Sequence, residues 1–167
     1  MLSLIAGAFL FIGCLYGGAG IKHYYKVRAE YFEEINNLCN MLIDEITHLK
    51  TPLIKIFENF TYMKKDEFSK HINAFSELLR REVIAERASL LAITDTVYLK
   101  KEERTIIADF LSLLGKSHSE SQVINIKHYK NKFEEISLKA KEAYKVQGTL
   151  AYKLGILLGI ALMIITI

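Results

Sequence analysis

Residues 31–49, YFEEINNLCNMLIDEITHL, decide the fold class. Tyr31, Phe32, Ile35, Leu38, Cys39, Leu42, Ile43, Ile46 and Leu49 recur at i, i+3, i+4 and i+7, the spacing of one face of a helix. The run stops at Lys50-Thr51-Pro52, where Thr51 suits an N-cap and Pro52 the first helical position. A short helix follows with Leu53, Ile56, Phe57 and Phe60 inward. Asp66 then caps a third helix carrying Phe68, Ile72, Phe75, Leu78 and Leu79. A fourth, around residues 82–94, carries Val83, Ile84, Leu90 and Leu91. The fifth, about 102–114, buries Ile106, Ile107, Phe110, Leu111 and Leu114, and Gly115 ends it as the residue after the cap. Capping-box spacings at Ser117–Glu120 and Ser119–Gln122 start a sixth helix near Ser119. Its stripe runs Val123, Ile126, Tyr129, Phe133, Ile136, Ala140 and Ala143, with no breaker but Gly148 before the chain turns wholly apolar. A last helix of about 45 residues therefore runs into the apolar end. No alternation of period two occurs, so the middle is an all-α bundle of about six helices.

Both ends lack charge. Every Lys, Arg, Asp and Glu lies between Lys22 and Lys153, a partition that a surface helix with a polar face does not tolerate. Residues 1–21, MLSLIAGAFLFIGCLYGGAGI, at ~1.5 Å per residue match the ~30 Å hydrocarbon core of a bilayer. Residues 154–167, LGILLGIALMIITI, are short for a span and are extended by Leu150, Ala151 and Tyr152 if Lys153 snorkels. Lys22, Lys26 and Arg28 follow the first segment, and Lys145 and Lys153 precede the last. The positive-inside bias thus places residues 22–153 in the cytoplasm as a helical bundle and both termini outside. A signal peptide lacks support because no basic n-region precedes the apolar run. Phe11-Ile12-Gly13-Cys14 resembles a lipoprotein cleavage box, but cleavage there would export the bundle against both sets of flanking positive charges.

The net charge of +3 is localised: residues 123–153 hold seven Lys against Glu134, Glu135 and Glu142, whereas residues 51–122 balance at eleven and eleven. That excess suits anionic lipid heads better than a nucleic-acid footprint, which would favour a dense basic patch on the bundle. Gly13-x-x-x-Gly17 and Gly155-x-x-x-Gly159 each set two glycines one turn apart, which lets the two spans pack together or drives oligomerisation; the alternative is that glycine is simply common in membrane helices. Cys14 lies in the first span and Cys39 on an apolar stripe, so neither suits a disulfide.

No catalytic constellation is present. Gly115-Lys116-Ser117 lacks the upstream glycine of a phosphate-binding loop, because Phe110 stands in its place. His23, His48, His71, His118 and His128 form no i, i+4 pair, and neither a metal nor a cofactor is specified. The pairs Glu33/Glu34, Glu102/Glu103 and Glu134/Glu135 are sequence neighbours that point apart on a helix.

Three segments carry a resemblance. Glu45-Ile46 with Thr51-Pro52-Leu53, the run Leu114-Gly115-Lys116-Ser117-His118-Ser119-Glu120-Ser121-Gln122, and Tyr152-Lys153-Leu154-Gly155-Ile156-Leu157-Leu158-Gly159 are similar in order and spacing to motifs of the stage III sporulation protein AB family. His118 stands where that family usually has Asp. The resemblance covers the whole chain. It implies a non-enzymatic platform in the secretion-like channel joining mother cell and forespore, in the mother-cell membrane around the forespore. It implies a bundle similar to the cytoplasmic domain of the type II secretion and type IV pilus inner-membrane platform protein. It also implies docking of the cytoplasmic ATPase stage III sporulation protein AA to membrane ring components. The competing readings are a membrane-tethered ligand sensor and a lipid-binding scaffold unrelated to secretion.

Overall fold

A computed structural model describes residues 2–49, 51–62, 64–81, 86–114 and 119–166, with side chains described from residue 6 and, in the last block, from residue 121. Seven α-helices follow in order among these residues: α1 Leu2–Asp44, α2 Leu53–Thr61, α3 Glu67–Arg80, α4 Arg87–Ile93, α5 Lys101–Leu113, α6 Ser119–Ala143 and α7 Thr149–Thr166. No strand occurs among them, as the apolar periodicity requires. Two π-helical turns interrupt the series. Glu45–Leu49 ends α1, and Tyr144–Gly148 joins α6 to α7. Ser121–Thr166 is thus one continuous helix of 46 residues, long and apolar enough to cross a membrane.

The chain divides into two compact units. Unit 1 comprises Met1–Ala29 with Leu138–Ile167, and unit 2 comprises Glu30–Ser137.

Unit 2 is organised around the neighbours Tyr31 and Phe32, which leave α1 in different directions because successive helical residues turn by about 100°. Tyr31 meets Phe68 of α3 edge-on at 5.1 Å between ring centres, and Phe68 meets Phe60 of α2 at 5.9 Å. Phe32 meets Phe133 of α6 at 6.5 Å, and Phe133 meets Phe110 of α5 at 5.3 Å. Ile35, Leu38, Cys39, Leu42 and Ile46 continue the buried face of the first helix. Leu49 does not: it is 69% exposed. The π-helical winding of Glu45–Leu49 rotates the following residues off the α-helical face that a 3.6-residue period projects.

Local chemistry sets the other boundaries. Asp66 caps α3, accepting from the Ser69 backbone N–H and from the Ser69 hydroxyl, each at 2.8 Å. At the start of α5 the buried Glu103 carboxylate reaches back to the Lys100 N–H at 2.9 Å. α2 begins one residue later than sequence spacing suggests. Pro52, not Thr51, is its N-cap residue, and the Pro52 carbonyl accepts from the Ile56 N–H at 3.2 Å. The first residues expected in the fourth helix, Val83 and Ile84, lie outside the described residues.

In unit 1 the start of α1 and the whole of α7 lie side by side in opposite directions. Gly7 sits against Met163, Gly159 against Phe11, Gly155 against Cys14 and Gly18, and Gly18 against Ala151 and Tyr152. At the other end Gly148 meets Lys22 and Tyr25. The buried positions Ala140 and Gly148 are eight residues apart, one more than the seven between Gly148 and Gly155. The π-helical turn Tyr144–Gly148 absorbs that extra residue, since its wider winding takes up one residue without shifting the buried face.

Candidate functional site

Two places in the molecule carry distinctive chemistry: the helix pair of unit 1 and the polar insertions in the core of unit 2.

The helix pair depends on the absence of side chains. A methyl group on Gly155 would stand 2.7 Å from the Cys14 carbonyl oxygen and 3.2 Å from Gly18 Cα, so only glycine permits this approach. A methyl group on Gly18 would lie 3.0 Å from the Ala151 carbonyl oxygen, and one on Gly159 2.7 Å from the Phe11 ring. Gly155 and Gly159 therefore both face α1. Gly13 and Gly17 do not face α7: both are exposed and have nothing within 4 Å of where a Cβ would be. The two glycine pairs of the sequence do not meet each other, and the α1 side of the contact is Gly7, Phe11, Cys14 and Gly18. The signal overlooked in the sequence is the spacing of Gly7, Cys14 and Gly18, seven and four residues apart and on one helix face.

Lysine and tyrosine gather where this pair leaves its apolar stretch. The Lys22 ammonium lies 5.1 Å above the Tyr152 ring, joining the two helices by a cation–π contact. Tyr24 and Tyr25 meet edge-on at 5.4 Å, and Tyr144 touches Gly148. Past this zone α7 presents Leu154, Leu157, Leu158, Ile160, Ile164 and Ile165 to its surroundings, and α1 presents Phe9, Leu10 and Ile12. Contiguous exposed apolar surface of this kind is consistent with membrane association.

In unit 2 the halves of the first motif meet directly. The Thr51 hydroxyl donates to Glu45 Oε2 at 2.5 Å, bridging the six residues of the bend between α1 and α2. That bond is why Thr51 makes no cap bond to α2: its oxygen is turned back to the preceding helix. Deeper in the core the Tyr31 hydroxyl and His71 Nδ1 are 2.9 Å apart, with ring centres 5.5 Å apart. Burial drives the Tyr31 phenol far above its ordinary range and pulls His71 below the usual imidazole value, although Glu67 opposes the shift on His71. Both groups are therefore neutral, as a buried pair sharing one hydrogen bond requires. Sequence reasoning did not single out this pair. The signal was the place of His71 on the Phe68, Ile72, Phe75 stripe of α3. Burial also pushes the Cys39 thiol up to about 12, which makes it an inert core group.

Gln122 is 7% exposed, and its Nε2 has no hydrogen-bond partner among the described residues. Gly115 and Ser117 of the same motif lie outside the described residues, as does His118. The paired carboxylates separate as helical geometry demands: Glu34 binds Lys64 at 2.6 Å, Glu103 serves its helix start, and Glu134 lies 3.3 Å from Lys130. Among the described residues no three His, Cys, Asp or Glu side chains converge to hold a metal ion. An open polar groove of about 480 Å³ lies between Asn40, Ile43 and Asp44 of α1 and Lys127, Lys130 and Asn131 of α6.

The family model described as stage III sporulation protein AB matches residues 3–167. The chain is similar to the stage III sporulation protein AB of Bacillus subtilis (strain 168), at 25% identity over 169 residues and 99% of each chain. No solved structure matches.

Proposed function

Because the chain belongs to the stage III sporulation protein AB family, we propose that it is a non-enzymatic platform of the sporulation channel between mother cell and forespore. In this reading unit 2 faces the cytoplasm of the mother cell and receives the cytoplasmic ATPase, stage III sporulation protein AA. The helix pair of unit 1 holds it in the membrane beside the ring components. One observation carries the reading: a single helix, Ser121–Thr166, runs unbroken from the aromatic core of unit 2 into the exposed apolar stretch of α7. Lys22, Lys26 and Arg28 on one helix and Lys145 and Lys153 on the other favour the cytoplasmic side for unit 2. The core of unit 2 is filled by Phe32, Phe57, Phe68, Phe75, Phe110 and Phe133, all nearly inaccessible, which suits a docking body.

Two measurements test the proposal. The full chain in detergent micelles is mixed with the purified ATPase, and co-elution is followed together with the rate of ATP hydrolysis. Co-elution with altered turnover is expected; separate elution with both proteins folded overturns docking. Membrane-impermeant thiol labelling decides orientation separately. The substitution Lys55→Cys in a Cys14→Ser background, at an exposed position of unit 2, is expected to be protected in sealed cells and labelled once they are opened. Labelling in sealed cells overturns the cytoplasmic placement.

A further inference from the structure

Charge is divided unequally between the two units. Unit 1 carries seven basic side chains against Glu142 alone, a balance of +6, and unit 2 carries fifteen against eighteen, a balance of −3; together they make the chain's +3. The basic residues of unit 1 lie only in the stretches 22–28 and 139–153. Helix pairing brings these stretches together. A methyl group on Gly148 would lie 3.6 Å from Lys22 Cα and 3.5 Å from Tyr25 Cβ, and Lys22 reaches over Tyr152. Lys22 of α1 thus stands beside the segment between Lys145 and Lys153, and these three lysines form one collar on the helix pair, whereas Arg28 is buried.

We propose that this collar selects anionic phospholipids through their headgroup phosphates. Exposed apolar side chains of α7 flank Lys153 on both sides, Leu150 before it and Leu154 after it, so a ligand of the collar stands beside hydrocarbon as well as water. Only a bilayer surface meets both demands at one place. Lys153 lies past Tyr152, whose Cα abuts Gly18, and so sits farther along the apolar stretch than Lys22. Its aliphatic stem covers apolar surface while the ammonium reaches back to phosphate. Half-buried Tyr24, Tyr25, Tyr144 and Tyr152 occupy the same zone, as amphipathic rings do at headgroup depth. A nucleic acid or an acidic protein would need the same charge on a face away from apolar surface. The inference rests on α7 lying in a bilayer, and it is independent of ATPase docking.

The test reconstitutes the full chain in phosphatidylcholine bilayers and compares the motionally restricted fractions of spin-labelled phosphatidylglycerol and spin-labelled phosphatidylcholine. The expected result is a preference for phosphatidylglycerol of about fivefold, the factor of roughly one lysine acting at a charged surface. It falls towards one in K22Q/K145Q/K153Q and in high salt, and is unchanged in the control K55Q/K65Q/K101Q, whose lysines are exposed on unit 2. Circular dichroism verifies that the triple variant retains its helix; the salt arm needs no variant. Equal restriction of the two lipids, a preference insensitive to salt, or one lost equally in the control overturns the inference. Loss of the preference to millimolar inorganic phosphate at constant ionic strength would reassign the collar to free phosphate. Retention on immobilised polyglutamate without lipid preference would reassign it to an acidic protein. Either of these outcomes also overturns it.

Discussion

Gly155 lies so close to α1 that a methyl group on its Cα would stand 2.7 Å from the carbonyl oxygen of Cys14. The neighbour is backbone, which cannot swing aside as a flexible side chain would, so the helices must separate to admit even alanine. Gly155→Ala is expected to destabilise the full chain by about 1–3 kcal/mol, the usual cost of overpacking. Gly13→Ala and Gly17→Ala face open space and should cost nothing, since alanine is favoured over glycine in a helix by up to about 1 kcal/mol. Denaturant unfolding in mixed micelles reads the difference; equal effects at all three positions would refute the register.

The pairing of Tyr31 with His71 makes stability depend on pH. Burial lowers the His71 pKa in the folded state, so the unfolded chain, near the ordinary value of about 6.5, takes up the proton first. Stability is therefore full above that value and falls as pH drops below it, until the folded-state pKa is reached. His71→Gln should flatten this part of the profile, followed as the unfolding midpoint between pH 7.5 and 5. A profile of His71→Gln that keeps the native slope would assign the dependence elsewhere.

Tyr31→Phe removes the hydroxyl and leaves His71 Nδ1 buried without that partner. A loss of about 1–3 kcal/mol is expected, the cost of a buried unsatisfied polar atom rather than of one hydrogen bond. Chemical denaturation at pH 7.5 measures it, and a change below a few tenths would mean that His71 finds another partner.

Cys39 is fully buried and its thiol is pushed up to about 12, so almost no thiolate forms at pH 8. In a Cys14→Ser background, a maleimide should label the folded chain only at the rate of opening and the unfolded chain at once. Rapid stoichiometric labelling of the native protein would contradict the burial of Cys39.

The bond from Thr51 to Glu45 predicts coupling across the bend between α1 and α2. A double-mutant cycle with Thr51→Val and Glu45→Gln should give an interaction energy of about 1 kcal/mol, since one partner is charged and both are half-buried. Additive effects would show that the two side chains act separately.

What the sequence by itself determined is local. The 3.6-residue recurrence from Tyr31 to Ile46 needs only neighbours on one helix, and so do the Asp66 cap and the continuity of the last helix past Gly148. The uncharged ends are equally local, because the cost of exposing such runs to water does not depend on their partners. Tertiary structure decided the rest. Gly13 with Gly17 and Gly155 with Gly159 are alike as sequence, yet only the second pair faces a neighbouring helix, because the antiparallel register is set by contacts between segments over a hundred residues apart. Leu49 belongs to the apolar stripe by spacing and leaves it because the helix winds more widely at Glu45–Leu49. Thr51 suits a cap and serves Glu45 instead, and His71 meets Tyr31 forty residues away. Periodicity reports which face of a helix is apolar; which partner covers it depends on shape and distance that only the folded chain supplies.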